Sequence, residues 1–264
     1  MTDAIFLLDH EEKLRKEFAA LQPEVLRSPS QVREAFERYP RRRALWIAST
    51  ASSMRFLASL QGSRTGDQRL LLLERVDGAR HELLHALFRF VVAFDNGVKL
   101  LPSEEIAEVM ASTHRDDLFI GGTLDVTDGR LVLYRGSLEP LVVPISWFKL
   151  PENPRLSSKD FEVTDFGQTI RLGTIEAAAD AILYDFDPEA RRRAKQRSRA
   201  NDTSFGGALR RLRLQRGLRR DEFAGISAKE IGRIERGEVA KPHAETLAKL
   251  ARQLGVRPQE IETF

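Results

Sequence analysis

Apolar residues recur at helical spacing over the last sixty positions more regularly than anywhere else in the chain. Phe205, Ala208, Leu209 and Leu212 fall on one face of a predicted helix that Ser204 can cap and Gly217 can end. A second, very short helix is predicted from about Arg220 to Gly225. Ser227 then caps a third, Ala228–Arg236, which turns Ile231 and Ile234 inward and Lys229, Glu230 and Arg233 outward, and Gly237 closes it. Beyond Pro242, the positions Leu247, Leu250, Ala251 and Leu254 share a face of a fourth helix, and Pro258 opens a last turn.

Upstream the pattern mixes two periods. Residues 10–21 and 29–39 have helical spacing, with Ser28 or Ser30 as N-cap, and Ala44–Ala48 reads as a short buried strand followed by an apolar run at 69–76. From Leu84 the apolar positions Leu84, Ala86, Phe88, Phe90, Val92 and Phe94 alternate with polar ones. That predicts a strand ending in Asp95-Asn96-Gly97 and a hairpin back through Val98–Leu101. A helix over 103–112 follows, with Ser103 as cap and Glu104 and Glu105 favouring its amino end. Strands are predicted at 124–127 and 131–134 around Asp128-Gly129, and at 141–147. After a connector at 149–160, FEVTDFGQTIRLG repeats a strand–turn–strand unit, and Thr174 caps a helix through Tyr184. The predicted fold class is α+β. An N-terminal α/β segment (1–83) and a small mixed-sheet α+β domain (84–187) form the body, a basic linker (188–203) follows, and an all-α domain (204–264) ends the chain.

Charge sharpens this division. From residue 189 onward there are 19 Lys and Arg against 10 Asp and Glu, a net of +9; with the whole chain at +3, the first 188 residues carry −6. A basic tail on an acidic body points to a polyanion as the tail's partner. Six of those cations crowd between Arg191 and Arg199, which suits either a solvated helix end or an arm that tracks phosphates. The absence of cysteine excludes disulfides and thiolate metal sites. No apolar run reaches the ~18 residues of a membrane span, and acids follow closely on the short apolar start, unlike a secretory signal, so a cytoplasmic location without membrane partners is expected.

The segments LRRLRLQRGLRRDEFA, SAKEIGRIERGE and KPHAETLAKLARQLGV together resemble the lambda-repressor and Cro type of helix-turn-helix, the Xre family. That resemblance implies a reader of double-stranded DNA whose third helix lies in the major groove. It implies base contacts from Ser227, Ala228, Lys229 and Arg233, and phosphate contacts from Arg220, Arg236, Lys241 and His243. Arg213 and Glu235 match a pair that ties the first helix to the end of the third. One departure stands out: only Gly225 and Ile226 separate Phe223-Ala224 from Ser227, about three residues fewer than the usual pattern, so the second helix must lose most of a turn. FVVAFDNGVKLLP, VPISWF and GQTIRLGTIEAAADAILYDFDPEARRRAKQRSR resemble a small bacterial α+β domain of unknown function that occurs with such readers. The combined reading is a transcriptional regulator that binds an operator as a homodimer. The alternative is an antitoxin-like module that grips a protein partner and regulates its own expression.

The body also carries an enzymatic motif. His81-Glu82-Leu83-Leu84-His85 matches H-E-x-x-H, in which two histidines one helical turn apart hold zinc and the glutamate acts as general base; Glu104 and Glu105 stand where a further ligand occurs in some zinc proteases. On a strand, positions i and i+4 lie ~13 Å apart, too far to share a metal. Because the alternation beginning at Leu84 predicts a strand, ordinary histidines are the preferred reading. Gly121-Gly122 and Gly206-Gly207 lack the lysine or the spacing of a nucleotide loop. No enzyme and no cofactor is expected.

Overall fold

The computed structural model describes residues 3–8, 14–39, 43–49, 56–57, 60, 66–73, 78–94, 97–150 and 156–262. They divide into two compact units, Met1–Asp187 and Pro188–Phe264. Mixed sheets and helices in the first and helices alone in the second make the α+β class.

The first unit opens with five strands, β1 (Ala4–Leu8), β2 (Glu24–Leu26), β3 (Ala44–Ala48), β4 (Gln68–Leu72) and β5 (Phe90–Ala93). They form a parallel sheet in the order β2-β1-β3-β4-β5. Every residue of β3 and β4 is buried, as continuous apolar strands require when both faces of a parallel sheet are covered. Helix α1 (Pro29–Arg38) starts where the Ser28 hydroxyl accepts the Gln31 N–H, and it lays Val32, Ala35 and Phe36 into the core. Trp46 lies at the centre against Phe6, Phe36 and Phe88. Its indole N–H donates to Gln68 Oε1 at 2.7 Å, and Gln68 donates in turn to the Tyr39 carbonyl at 2.6 Å, so the buried polar pair is satisfied.

The strand expected from Leu84 to Phe94 is divided. Helix α2 (Gly78–Leu87) occupies its first part and only Phe90–Ala93 is extended. Leu84, Leu87 and Phe88 are all buried and sit at helical spacing, so the alternation was an accident of Phe88 meeting Phe90. β5 pairs in parallel with β4 instead of forming the hairpin, because there it is covered on both faces as the last strand of the apolar sheet. The boundary expected at 83/84 therefore falls inside a helix.

A second sheet, β6 (Val98–Leu100), β7 (Phe119–Asp125), β8 (Arg130–Arg135) and β9 (Pro140–Pro144), is antiparallel throughout, with α3 (Ser103–Ala111) burying Ile106, Ala107, Val109 and Met110. A third is made of β10 (Phe161–Thr164), β11 (Thr169–Leu172) and β12 (Ile175–Ala178). The helix expected from Thr174 begins only at Ala179 (α4, Ala179–Phe186). Gly173, at φ 61°, returns the chain on itself, and Ile175–Ala178 pair with β11. Buried Arg69 on β4 donates to the Ser137 carbonyl at 2.7 Å and pairs with Asp67 and Glu139, which ties the parallel sheet to the loop after β8.

In the second unit the expected linker is mostly helix, α5 (Pro188–Ala200). Proline is tolerated at a first helical position, Glu189 suits the amino end, and the alanines, arginines, lysine and glutamine that follow are strong helix formers. Helices α6 (Phe205–Gln215), α7 (Ala228–Glu235), α8 (Ala244–Leu254) and α9 (Pro258–Glu262) complete it, with one 3-10 turn at Arg220–Glu222. Leu209, Leu212, Ile231, Ile234, Leu250, Leu254 and Ile261 form its core. Among the described residues no helix is long and apolar enough to cross a membrane.

Candidate nucleic-acid interface

Two serine caps fix the helices of the interface. The Ser204 hydroxyl accepts the Gly207 N–H at 3.1 Å, and the Ser227 hydroxyl accepts the Glu230 N–H at 3.1 Å. The amino end of α6 crosses the carboxyl end of α7 so closely that a β-carbon on Gly206 would stand 2.3 Å from the Ile234 carbonyl oxygen, which only glycine permits. Beside this crossing Arg213 donates to both oxygens of Glu235, at 2.5 and 3.3 Å, and to the Leu218 carbonyl at 2.7 Å. Arg220 adds a bond to Glu235 at 2.8 Å. With its side chain 1% exposed, Glu235 is a buried anion held by two guanidinium groups, and it joins α6, the 3-10 turn and α7.

The missing residues before Ser227 have a visible consequence. Where a second helix would run there is a single 3-10 turn, after which Phe223 and Ile226 are buried and Gly225, at φ 74°, reverses the chain into α7. A turn this short leaves backbone groups without helical partners. Gln253 on α8 supplies them: its carboxamide accepts the Ala224 N–H and donates to the Ala224 carbonyl, both at 2.9 Å.

The amphipathic design of α7 turns Ile231 and Ile234 into the core and leaves Ser227, Ala228, Lys229 and Arg233 exposed. Arg233 and Arg236 both pair with Glu238, at 3.3 and 2.7 Å. The hydrogen bond from Arg236, together with the charges of both arginines, holds the Glu238 carboxyl below the ordinary glutamate range. Lys241 and His243 are exposed in the loop before α8, where His243 is the N-cap residue without a side-chain cap bond. Arg220 is bound on one side by Glu235, and its side chain is still 42% exposed.

Residues 204–264 match the family model described as a helix-turn-helix domain. The C-terminal region is a helix-turn-helix DNA-binding domain. No curated protein and no solved structure matches the chain. Within the helix-turn-helix, sequence reasoning missed Gln253 and Glu238. Gln253 carries no sequence signal, since its role exists only because α8 passes the shortened turn. Glu238, two residues beyond Arg236, was legible only as one more surface charge.

The H-E-x-x-H motif lies on α2, so the strand geometry that argued against a metal does not apply. Glu82 and His85 are exposed; the His81 side chain lies outside the described set. Among the described residues no group of three or more histidine or acidic side chains is placed to hold a metal ion.

Proposed function

We propose that the protein is a sequence-specific transcriptional regulator of the Xre type, cytoplasmic, that occupies an operator on double-stranded DNA. The observation that carries this reading is the outward face of α7. Lys229 and Arg233 stand one turn apart on a helix whose opposite face is core, and arginine is the side chain best matched to guanine O6 and N7. Arg236, Lys241 and His243 flank that face as phosphate contacts that set register. A single small reader buries limited surface, so the operative species is a homodimer on two half-sites about one DNA turn (~34 Å) apart.

The test is fluorescence anisotropy of the full-length protein on DNA from its own upstream region against random duplex, at low and at near-physiological salt. Preference for the upstream DNA that survives the higher salt is expected. Binding that is indifferent to sequence and vanishes with salt would refute operator recognition. It would favour the antitoxin-like reading, in which the body grips a protein partner.

A further inference from the structure

A polar cavity of about 640 Å³ opens in the helix-turn-helix unit, lined by Asp202, Arg210, Arg220, Glu235 and Arg236. Both acids are committed within the protein. Glu235 is held by Arg213 and Arg220, and Asp202 accepts the Ser204 N–H at 2.9 Å. The cations are less well matched. Arg236 offers its Nε to Glu238 at 2.7 Å while its far end lies over Gly232. A β-carbon on Gly232 would stand 3.1 Å from Arg236 Nη1 and 3.7 Å from Arg220 Nη1, so the two guanidinium tips share the floor of the cavity. Arg210 is half-buried on α6 and makes no hydrogen bond or ion pair with any described residue.

Three guanidinium groups against two carboxylates leave the cavity lining with an excess positive charge, and partly desolvated Arg210 has no anionic partner among the described residues. Planar N–H forks bind phosphate oxygens bidentately, and several of them can share one tetrahedral phosphate.

We propose that this cavity is a phosphate-binding site in which Arg210 is the principal ligand and the outward N–H groups of Arg220 and Arg236 complete the cradle. It rests on the DNA-binding reading for its source: the site adjoins the carboxyl end of α7, beside the base-reading face, so the phosphate is one of the DNA backbone flanking the operator. This adds to the interface a contact from the first helix that the sequence pattern did not reveal.

The experiment compares the full-length protein with Arg210→Gln and Arg210→Lys. Each is tested by the salt dependence of binding to upstream and random duplex, and by calorimetric titration with pyrophosphate at fixed ionic strength. A thermal melt of each variant checks the fold. Arg210→Gln should lower the slope of log K against log salt by about one and weaken both duplexes by the same factor, with the lysine variant restoring the slope. Pyrophosphate should bind the wild type, compete with DNA and lose its binding in Arg210→Gln. Should the wild type ignore DNA yet bind pyrophosphate through Arg210, the site stands with a small phosphorylated ligand as its source, and the DNA reading is what fails. An unchanged slope together with an Arg210-independent pyrophosphate titration overturns the site.

Discussion

Replacing Glu235 by glutamine tests the central joint of the helix-turn-helix. The change preserves shape and keeps one acceptor oxygen, but it leaves the Arg213 guanidinium, 8% exposed, facing a neutral amide in place of a carboxylate. Removing one partner of a buried pair costs about 3–5 kcal/mol, chiefly because the remaining charge is stranded. Arg220, more than two-fifths exposed, can return to water and adds little to that figure. A unit spanning Pro188–Phe264 should have a stability of about 4–12 kcal/mol at the usual per-residue value, so the loss is a large fraction of the total. At about 4–8 °C per kcal/mol for a domain of this size, the melting temperature should fall by at least about 12 °C. Both tryptophans, Trp46 and Trp147, lie in the first unit, so tryptophan fluorescence follows that unit while far-UV circular dichroism also follows the C-terminal helices. Early loss of dichroism with little change in the fluorescence transition is expected. A shift of the helical transition by less than about 4 °C would mean that the pair is hydrated in solution and that Glu235 does not join the helices.

Four further outcomes are expected. Lys229→Ala and Arg233→Ala should each relax sequence preference by ~1–3 kcal/mol per base contact, whereas Arg236→Ala should weaken operator and random duplex alike; identical behaviour of all three in competition binding would remove α7 from base reading. Gln253→Ala leaves the Ala224 N–H and carbonyl without their partner and should cost about 1–2 kcal/mol in urea unfolding; no change would show that water serves the shortened turn equally well. The hydroxyl and N–H of Ser204 hold the Asp202 carboxyl below its ordinary range, so its contribution is complete above the unfolded value near pH ~4 and is lost as pH falls through the lower folded value. Asp202→Asn should therefore flatten the acid limb of the unfolding midpoint against pH, and an unaltered limb would contradict that assignment. Purified protein should carry well under about one equivalent of zinc; a full equivalent lost in His81→Ala would revive the H-E-x-x-H site.

Much of the C-terminal domain was legible in the sequence. Ser204, Ser227, Gly217, Gly237 and Pro258 punctuate the helices where the pattern put them, because caps and left-handed ends are local chemistry. The shortened second helix was legible as well, from the spacing between Ala224 and Ser227. The body was harder to read. Buried parallel strands such as β3 are continuous apolar runs that carry no period, and Leu84–Phe94 satisfied helix and strand patterns at once. Pairing partners settled that case, since β5 found β4 and β6 found β7.

The sequence by itself determined where helices begin and end in the C-terminal domain, which face of α7 is core and which is solvent, and that the basic charge gathers there. Each of these is set by neighbours within a few residues, through caps, periodicity and composition. Only the tertiary structure decided that Gln253 replaces the lost backbone partners of Ala224, that Glu235 binds Arg220 as well as Arg213, that Glu238 holds Arg233 and Arg236, and that Arg210 has no partner among the described residues beside Arg220 and Arg236. The Gln253 and Glu235 contacts join residues on different elements, up to 29 positions apart. Long polar side chains find their partners only after packing has fixed how the helices cross.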